Sequence, residues 1–399
     1  MSSHFKQTLV MIRANILSLP RRLAISLSMV LSIALVVCVL TAFLSMAKGF
    51  ETALAGTGSR LVAVVLGGGT NQEAGSDIPA AVIRKLDAMT GDMGVARDTH
   101  GNLVSTREIV VPVDIKQTAD GVQRTLTLRG MDPLGPTFRN GTSLSAGRFF
   151  GPGTREVVVG DRLASEFGLR IGDTVRLGAV DWTVAGHFSA HRSAFESEIW
   201  ADLDAVRSAF DRQGQVQSLR LRLNDAAALG RLQDRLATIT DTVLVAVSEA
   251  DLFAAQSGRT AGLIRLFGWP LSLLLAIGAT AGALNTMMSS VSDRTVEIAT
   301  IRALGFSRLS VFLGTWLEAV ALASVGALLG LIASWLGFNG WQASTVGANN
   351  ARLAFELAVA PDVMFIAGLL GLAIGIIGGA LPAIAATRLP LTTALRARG

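Results

Sequence analysis

Apolar and polar positions along this chain fall into two regimes. Four stretches, Leu23–Ala47, Leu266–Ser292, Ala319–Ala351 and Val363–Thr387, contain no Asp, Glu, Lys or Arg, and each is at least 25 residues long. A bilayer core of about 30 Å takes about 20 apolar residues of α-helix. A helix without charge on any side has no solvated face to present, so each run predicts a membrane span. The spans are placed at 23–47, 261–292, 309–337 and 363–387. The first is too long for the apolar core of a cleaved leader, and no small-residue cleavage site follows it, so it is expected to be a retained signal anchor.

Residues 48–260 follow a different pattern. Arg60–Leu66, Glu108–Val113, Arg124–Arg129 and Glu156–Val159 are β-branched runs, while Asp181–Phe188 alternates Trp182, Val184 and Gly186 on one face and Ser218–Leu223 keeps the same period of two. Pro79–Met89, Asp161–Phe167 and Asp202–Phe210 predict short helices, the last capped by Asp202 or Asp204. Asp225–Ile239 predicts an amphipathic helix. No unit of 20–50 residues repeats. The expected fold class is therefore membrane α-helical, with four transmembrane helices and a large two-lobed α+β extracytoplasmic domain between the first and second. The remaining segments are an amphipathic N-terminal stretch at 1–22, a loop at 293–308, a short outer loop at 338–362 and a tail at 388–399.

Charge sets the expected orientation. Residues 1–22, 293–308 and 388–399 together hold ten basic and two acidic groups, a net +8 in a chain that is +5 overall, so the rest is net −3. Basic short segments stay in the cytoplasm, which places both termini and the 293–308 loop inside and the domain at 48–260 outside. The basic pI of about 10.2 resides on these membrane-flanking segments, so it points to topology and not to nucleic acid. The single cysteine, Cys38, lies in the first span and rules out a disulfide framework within one chain.

Candidate chemistry is sparse. The outer segment has His100, His187 and His191 in no metal-ligand spacing, although His187 and His191 would share a face if helical. Glu196 and Glu198 read as an exposed strand edge, and the near balance of acids and bases reads as a solvated surface. The four lysines, Lys6, Lys48, Lys85 and Lys116, all lack a phosphate-loop context. No catalytic, cofactor-binding or metal site is expected in these residues. Glu318 is the one acid inside a span, roughly 14 Å along the helix from Leu309. Unpaired, it would cost about 2.5–3.5 kcal/mol, so it is expected to pair with a cytoplasmic-side Arg or a polar group of the first or second span. Small-xxx-small pairs at Gly278/Gly282, Gly326/Gly330, Gly371/Gly375 and Gly375/Gly379 mark close helix packing.

The 293–308 loop is the most informative segment. Arg294 and Glu297 form an expected i,i+3 pair, Ile298, Ile301 and Leu304 an apolar stripe, and Gly305 stands where a C′ residue ends a helix. A helix lying on the inner membrane surface and a helix seated in a groove of a partner both fit these residues.

The spelling adds more. Asn285-Thr286-Met287 followed by Arg294-Thr295-Val296-Glu297-Ile298-Ala299-Thr300-Ile301-Arg302-Ala303-Leu304-Gly305 resembles the signature of the MacB/FtsX family of ABC transporter permeases. Pro382-Ala383-Ile384-Ala385-Ala386-Thr387-Arg388-Leu389-Pro390, through Leu395-Arg396, is similar to that family's closing motif. Ser145–Arg148, Val157–Gly160 and Gly168–Val175 resemble its extracytoplasmic domain. The resemblance implies that Arg294, Glu297, Ile298, Ile301, Arg302, Leu304 and Gly305 form a coupling helix for an ABC ATPase. That ATPase is expected as a separate subunit in two copies, holding the ATP and Mg, so that this chain carries no cofactor of its own. The resemblance further implies a second permease copy, faced by some of the glycines, membrane lipid around the spans, and a periplasmic membrane-fusion adaptor. The expected location is the bacterial inner membrane. The implied mechanism is mechanotransmission, with export as the first reading. Release of lipoproteins, or FtsX-like regulation of a cell-wall hydrolase without transport, are the alternatives.

Overall fold

The computed structural model describes Gln7, Met11 and residues 23–55, 57–70, 72–116, 123–191, 193–346 and 352–388. The expected amphipathic segment 1–22, apart from Gln7 and Met11, and the tail beyond Arg388 lie outside the described residues.

Helix α1, Leu23–Ala55, contains the first predicted span and continues eight residues past it. Next come β1 (Val62–Gly67), α2 (Ala80–Ala88), β2 (Ser105–Lys116), β3 (Gln123–Met131) and β4 (Ser143–Gly147). They are followed by β5 (Glu156–Gly160), α3 (Asp161–Phe167), β6 (Thr174–Leu177), β7 (Val180–Ser189) and β8 (Glu198–Asp202). Then α4 (Leu203–Ala209), β9 (Ser218–Arg222), α5 (Ala228–Leu236) and β10 (Leu244–Ser248) lead to a second long helix, α6 (Glu249–Asp293). The chain ends with α7 (Thr295–Ala303), α8 (Arg308–Phe338), β11 (Gln342–Val346), β12 (Arg352–Glu356) and α9 (Pro361–Thr387). Four of these, α1, α6, α8 and α9, are long and apolar enough to cross a membrane.

The chain divides into two units. One comprises 49–261 with 342–356, and the other holds the rest. In the first, ten strands form one sheet in the order β10-β1-β9-β2-β3-β8-β5-β7-β4, with β6 paired to β7. Only β3–β8 and β5–β7 are parallel. The two lobes thus share a sheet but have separate cores. Ala63, Val65, Leu219 and Leu221 pack with Leu232 and Leu236 of α5 in one, while Leu126, Leu128, Val157, Trp182 and Ile199 fill the other. In β7, Trp182 and Val184 face the second core, but a β-bulge then shifts the register against β5, and the buried Phe188 stacks on Trp200 outside that core. Asp202 caps α4, its carboxylate accepting from the Ala205 amide at 3.0 Å.

Two expectations need correction. The supposed exposed edge at Glu196 and Glu198 is a 3-10 turn, Ala194–Ser197, leading into an interior strand, β8, which is paired on both sides, and both residues are buried. The outer loop 338–362 contains the β11–β12 hairpin, which belongs to the sheet-bearing unit: Arg162 of α3 donates to the Ala354 carbonyl at 3.0 Å and pairs with Glu356 at 3.2 Å. Phe355 meets Phe50 edge to face at 5.5 Å. The helix that holds the expected second span, 261–292, is longer than that span, running 45 residues from Glu249 to Asp293. Ser248 and Asp251 supply the start signal: the Ser248 hydroxyl accepts from the Asp251 amide at 3.0 Å and donates to the Asp251 carboxylate at 2.6 Å.

In the other unit, glycine decides how closely the spans approach. A Cβ on Gly326 or Gly330 would lie 2.7 Å and 2.6 Å from the Val30 and Ala34 carbonyl oxygens of α1. On Gly371, Gly375 and Gly379 it would meet Ala327, Ala323 and Ala319 of α8 at 2.9, 2.2 and 2.4 Å. These five glycines therefore serve contacts within one chain. Gly278 and Gly282 differ: both are exposed on α6, and a Cβ there would have no neighbour within 4 Å.

Candidate functional site

The segment between α6 and α8 folds as the short helix α7, and its two ends are pinned differently. At the N-terminal end Arg294, the capping residue, turns back into the bundle. Its guanidinium Nη2 donates to Glu318 Oε2 of α8 at 2.6 Å and to the Ser290 hydroxyl at 3.0 Å. Both members of the pair are buried. Of the two kinds of partner expected for Glu318, an arginine or a polar group of the first or second span, Arg294 is the one it meets here. Arg294 does not pair with Glu297, and its burial removes it from any surface offered to a partner. The physical reason is competition: a buried carboxylate on α8 holds the guanidinium more strongly than an exposed one a turn away.

At the C-terminal end, Arg302 Nη1 donates to the Thr387 carbonyl at 3.0 Å, satisfying a last-turn acceptor of α9. Arg302 is therefore half-buried against α9 and not wholly presented outward. Gly305 closes α7 at φ +96°, with its amide on the Arg302 carbonyl and the Phe306 amide on the Ile301 carbonyl, a Schellman arrangement. Its C″ and C3 side chains, Phe306 and Ile301, pack on the same cluster as Ile298, Val291, Val311 and Ala386. Ser307 then caps α8, accepting from the Ser310 amide at 3.1 Å.

What remains free on α7 is one stripe. Glu297, Thr300 and Leu304 are exposed at i, i+3 and i+7, flanked by Ala303, and Leu304 is 76% accessible. Of the seven residues expected to form a coupling surface, Glu297, Leu304 and Gly305 are presented. Ile298 and Ile301 face the bundle, and Arg294 and Arg302 fasten the helix to it. Thr300 and Ala303 were missed because neither carries charge or bulk. Their place follows only once the buried face is known.

A second concentration of charge was invisible in the sequence. Seven groups in the sheet-bearing unit, Arg129, Arg139, Arg220, Glu73, Glu108, Glu198 and Glu249, are each no more than 8% exposed. Glu108 Oε2 accepts from Arg129, Arg139 and Arg220 at 2.9, 2.6 and 2.8 Å. Glu73 takes Arg129 and Arg220 at 3.0 and 2.8 Å, and Glu198 takes Arg129 Nη2 at 2.7 Å. Burial alone would raise the carboxyl pKa of Glu73 and Glu108, but the facing guanidiniums outweigh it and hold both below the usual carboxylate range. The near balance of charge that read as a solvated surface is partly internal pairing. His187 and His191 form no ligand pair on a helix, since His187 lies in β7 and His191 follows it at φ 50°.

Comparison with known proteins bears on the whole chain. Residues 24–239 match the family described as the MacB-like periplasmic core domain, and residues 252–391 match the FtsX-like permease C-terminal family. A macrolide export ATP-binding/permease protein MacB of Bordetella avium is 25% identical over 333 residues, covering 78% of this chain and 49% of that protein. Its counterpart in Acinetobacter baylyi is 25% identical over 293 residues, covering 68% of this chain and 43% of its own length. The chain thus spans about half the length of the curated relatives it matches. The solved periplasmic region of MacB from Actinobacillus actinomycetemcomitans has a TM-score of 0.37 at 14% identity, over 49% of this chain and 91% of that one. That likeness is too distant to bear on residue roles.

Proposed function

Because this chain belongs to the MacB/FtsX family of ABC transporter permeases, we propose that it couples ATP hydrolysis by an ABC ATPase, which this sequence does not itself contain, to movement of its periplasmic domain. The ATPase docks on the exposed stripe of α7. Two copies of the permease pair in the inner membrane, with both termini in the cytoplasm, and one ATPase seats on each. The exposed Gly278/Gly282 face of α6 is offered to the second copy. ATP and Mg are held by the ATPase. The cargo class is that of an exporter working with a periplasmic adaptor, a reading supported by the export named in the relatives.

The observation that carries this reading is the continuity of α6. Its 45 residues span about 68 Å, more than twice the roughly 30 Å of a bilayer core. It begins at the residue after β10 and ends one residue before α7 starts. In this reading, displacement of α7 is passed towards the sheet along α6, whose one interior proline is Pro270. Arg294, Arg302 and the Schellman turn hold α7 firmly enough to pass a load on.

Co-purification of the permease with its ATPase tests the docking surface. Glu297→Lys and Leu304→Asp are expected to weaken the association while the protein inserts normally, since both side chains sit on the free face. Equal recovery of the ATPase with both variants would overturn the assignment.

A further inference from the structure

The buried charge cluster takes no part in the docking surface, yet one member, Glu249, is the first residue of α6. The exit of α1 and the start of α6 meet on this side chain. After α1 ends at Ala55, the chain passes through Thr57, Gly58 and Ser59. The Ser59 amide donates to Glu249 Oε2 at 3.1 Å, and the Ala250 amide donates back to the Ser59 carbonyl at 3.4 Å. Gly58, at φ +93°, lies so close that a Cβ there would come within 2.9 Å of the Glu249 backbone. The other carboxylate oxygen, Oε1, accepts from Arg220 at 2.6 Å and Arg139 at 3.1 Å. Both arginines also grip Glu108 of β2, so the bonds run on to Arg129 of β3 and Glu198 of β8.

The 3-10 turn at Ala194–Ser197 closes the same junction. Its Ala194 amide donates to the Thr57 hydroxyl at 3.2 Å. Phe195 stands edge-on to Phe253 of α6 at 5.5 Å and lies under the Arg139 guanidinium at 5.0 Å. One carboxylate therefore fastens the end of α1 and the beginning of α6 to strands that serve both cores.

Stability alone does not call for such a cluster, because well-packed apolar residues stabilise a buried position equally well or better. Apolar contacts are non-directional, however, and slide with little penalty. A lattice of short charge-assisted hydrogen bonds has one geometry, and slipping by one bond would leave a buried charge without its partner. We propose that Glu249 is the positioning residue of a load-bearing joint, which converts displacement of α1 and α6 into displacement of the whole periplasmic domain. The proposal rests on the mechanotransmission reading above.

The test uses the full permease–ATPase complex in nanodiscs, with Cys38→Ala as background and a spin label on Gln213→Cys, an exposed turn position. The distance between the labels of the two copies is measured with and without ATP and Mg. Wild type is expected to show an ATP-dependent change. Glu249→Gln is expected to keep the resting distance and the hydrolysis rate but to lose that change. A role in folding alone would move the resting distance or the protein level and leave the ATP-dependent change. If Glu249→Gln fails to accumulate, Arg139→Lys, which keeps the charge but loses the fork, carries the same comparison. An unaltered change in the variant overturns the joint and leaves mechanotransmission standing. No change in wild type overturns mechanotransmission and the joint with it.

Discussion

Separating Arg294 from Glu318 is the perturbation whose cost follows most directly from the geometry. The two side chains meet at 2.6 Å, both buried, with Arg294 also bonded to the Ser290 hydroxyl and carbonyl. Removing one partner of a buried pair leaves an uncompensated charge and costs about 3–5 kcal/mol. The Ser290 contacts keep part of the guanidinium satisfied, which places Glu318→Leu near the lower end, at about 3 kcal/mol. Arg294→Leu takes the guanidinium away from a buried carboxylate and falls nearer the upper end, at about 4–5 kcal/mol. The double variant removes both charges and is expected to cost about 2–3 kcal/mol, so the coupling is about 4–6 kcal/mol out of a simple sum of about 7–8. Reversible unfolding of the full chain in mixed micelles, followed through its six tryptophans, measures all three. Single costs that add to within about 0.5 kcal/mol in the double variant would refute the pair as a structural tie. Glu318→Gln bears on the rival idea of a route through the spans. It is expected to lower stability without changing which compounds are exported.

Other predictions are more local. Gly375→Ala forces a Cβ to within 2.2 Å of Ala323 Cβ and should cost about 1–3 kcal/mol, whereas a Cβ on Gly278 has no neighbour within 4 Å among the described residues. In the same unfolding assay the first is expected to fall and the second to hold. A loss of dimer without loss of monomer stability in Gly278→Ala would locate the contact between copies. The depressed carboxyls of Glu73 and Glu108 contribute stability that is fully present above the unfolded value of about 4.3. That contribution is lost as pH falls below this value towards their folded ones, so thermal stability should be flat above about pH 5 and fall steeply below it. Glu73→Gln should show a shallower acid slope, and an equal slope would count against the network. The purified permease alone is expected to show no ATP hydrolysis, which a contaminant-free assay checks.

How much of this was readable in advance depended on how local each cause was. The spans, a cap for α4 at Asp202 or Asp204 and the Gly305 terminus each depend on residues within a few positions and were legible, whereas the single face expected for Trp182, Val184 and Gly186 fails at the bulge in β7 that turns Gly186 away. Glu198 misled because two carboxylates two apart on a strand look solvated, and its arginine stands 69 positions away in β3. The same distance in sequence hid the cluster around Glu108, whose Arg220 lies 112 positions off. Arg294 was correctly tied to helix α7 but to the wrong partner, since a local i,i+3 rule cannot weigh a competing carboxylate on another span. The glycine pairs declared close packing, yet only the neighbours of Gly326 and Gly375, and the open space at Gly278, show which contacts stay within one chain.

The central claim is that events at the ATPase and at the periplasmic domain are linked through the helices. Linkage is reciprocal for binding equilibria, so restraining the domain must be felt at the nucleotide site. The most direct measurement is ATP turnover by the reconstituted complex with Gln213→Cys of the two copies bridged by bis-maleimides of graded length, in the Cys38→Ala background. The shortest linker that spans is expected to suppress turnover while ATP still binds, and longer linkers to restore it progressively. Turnover independent of linker length, in a complex where bridging is complete, would contradict the claim.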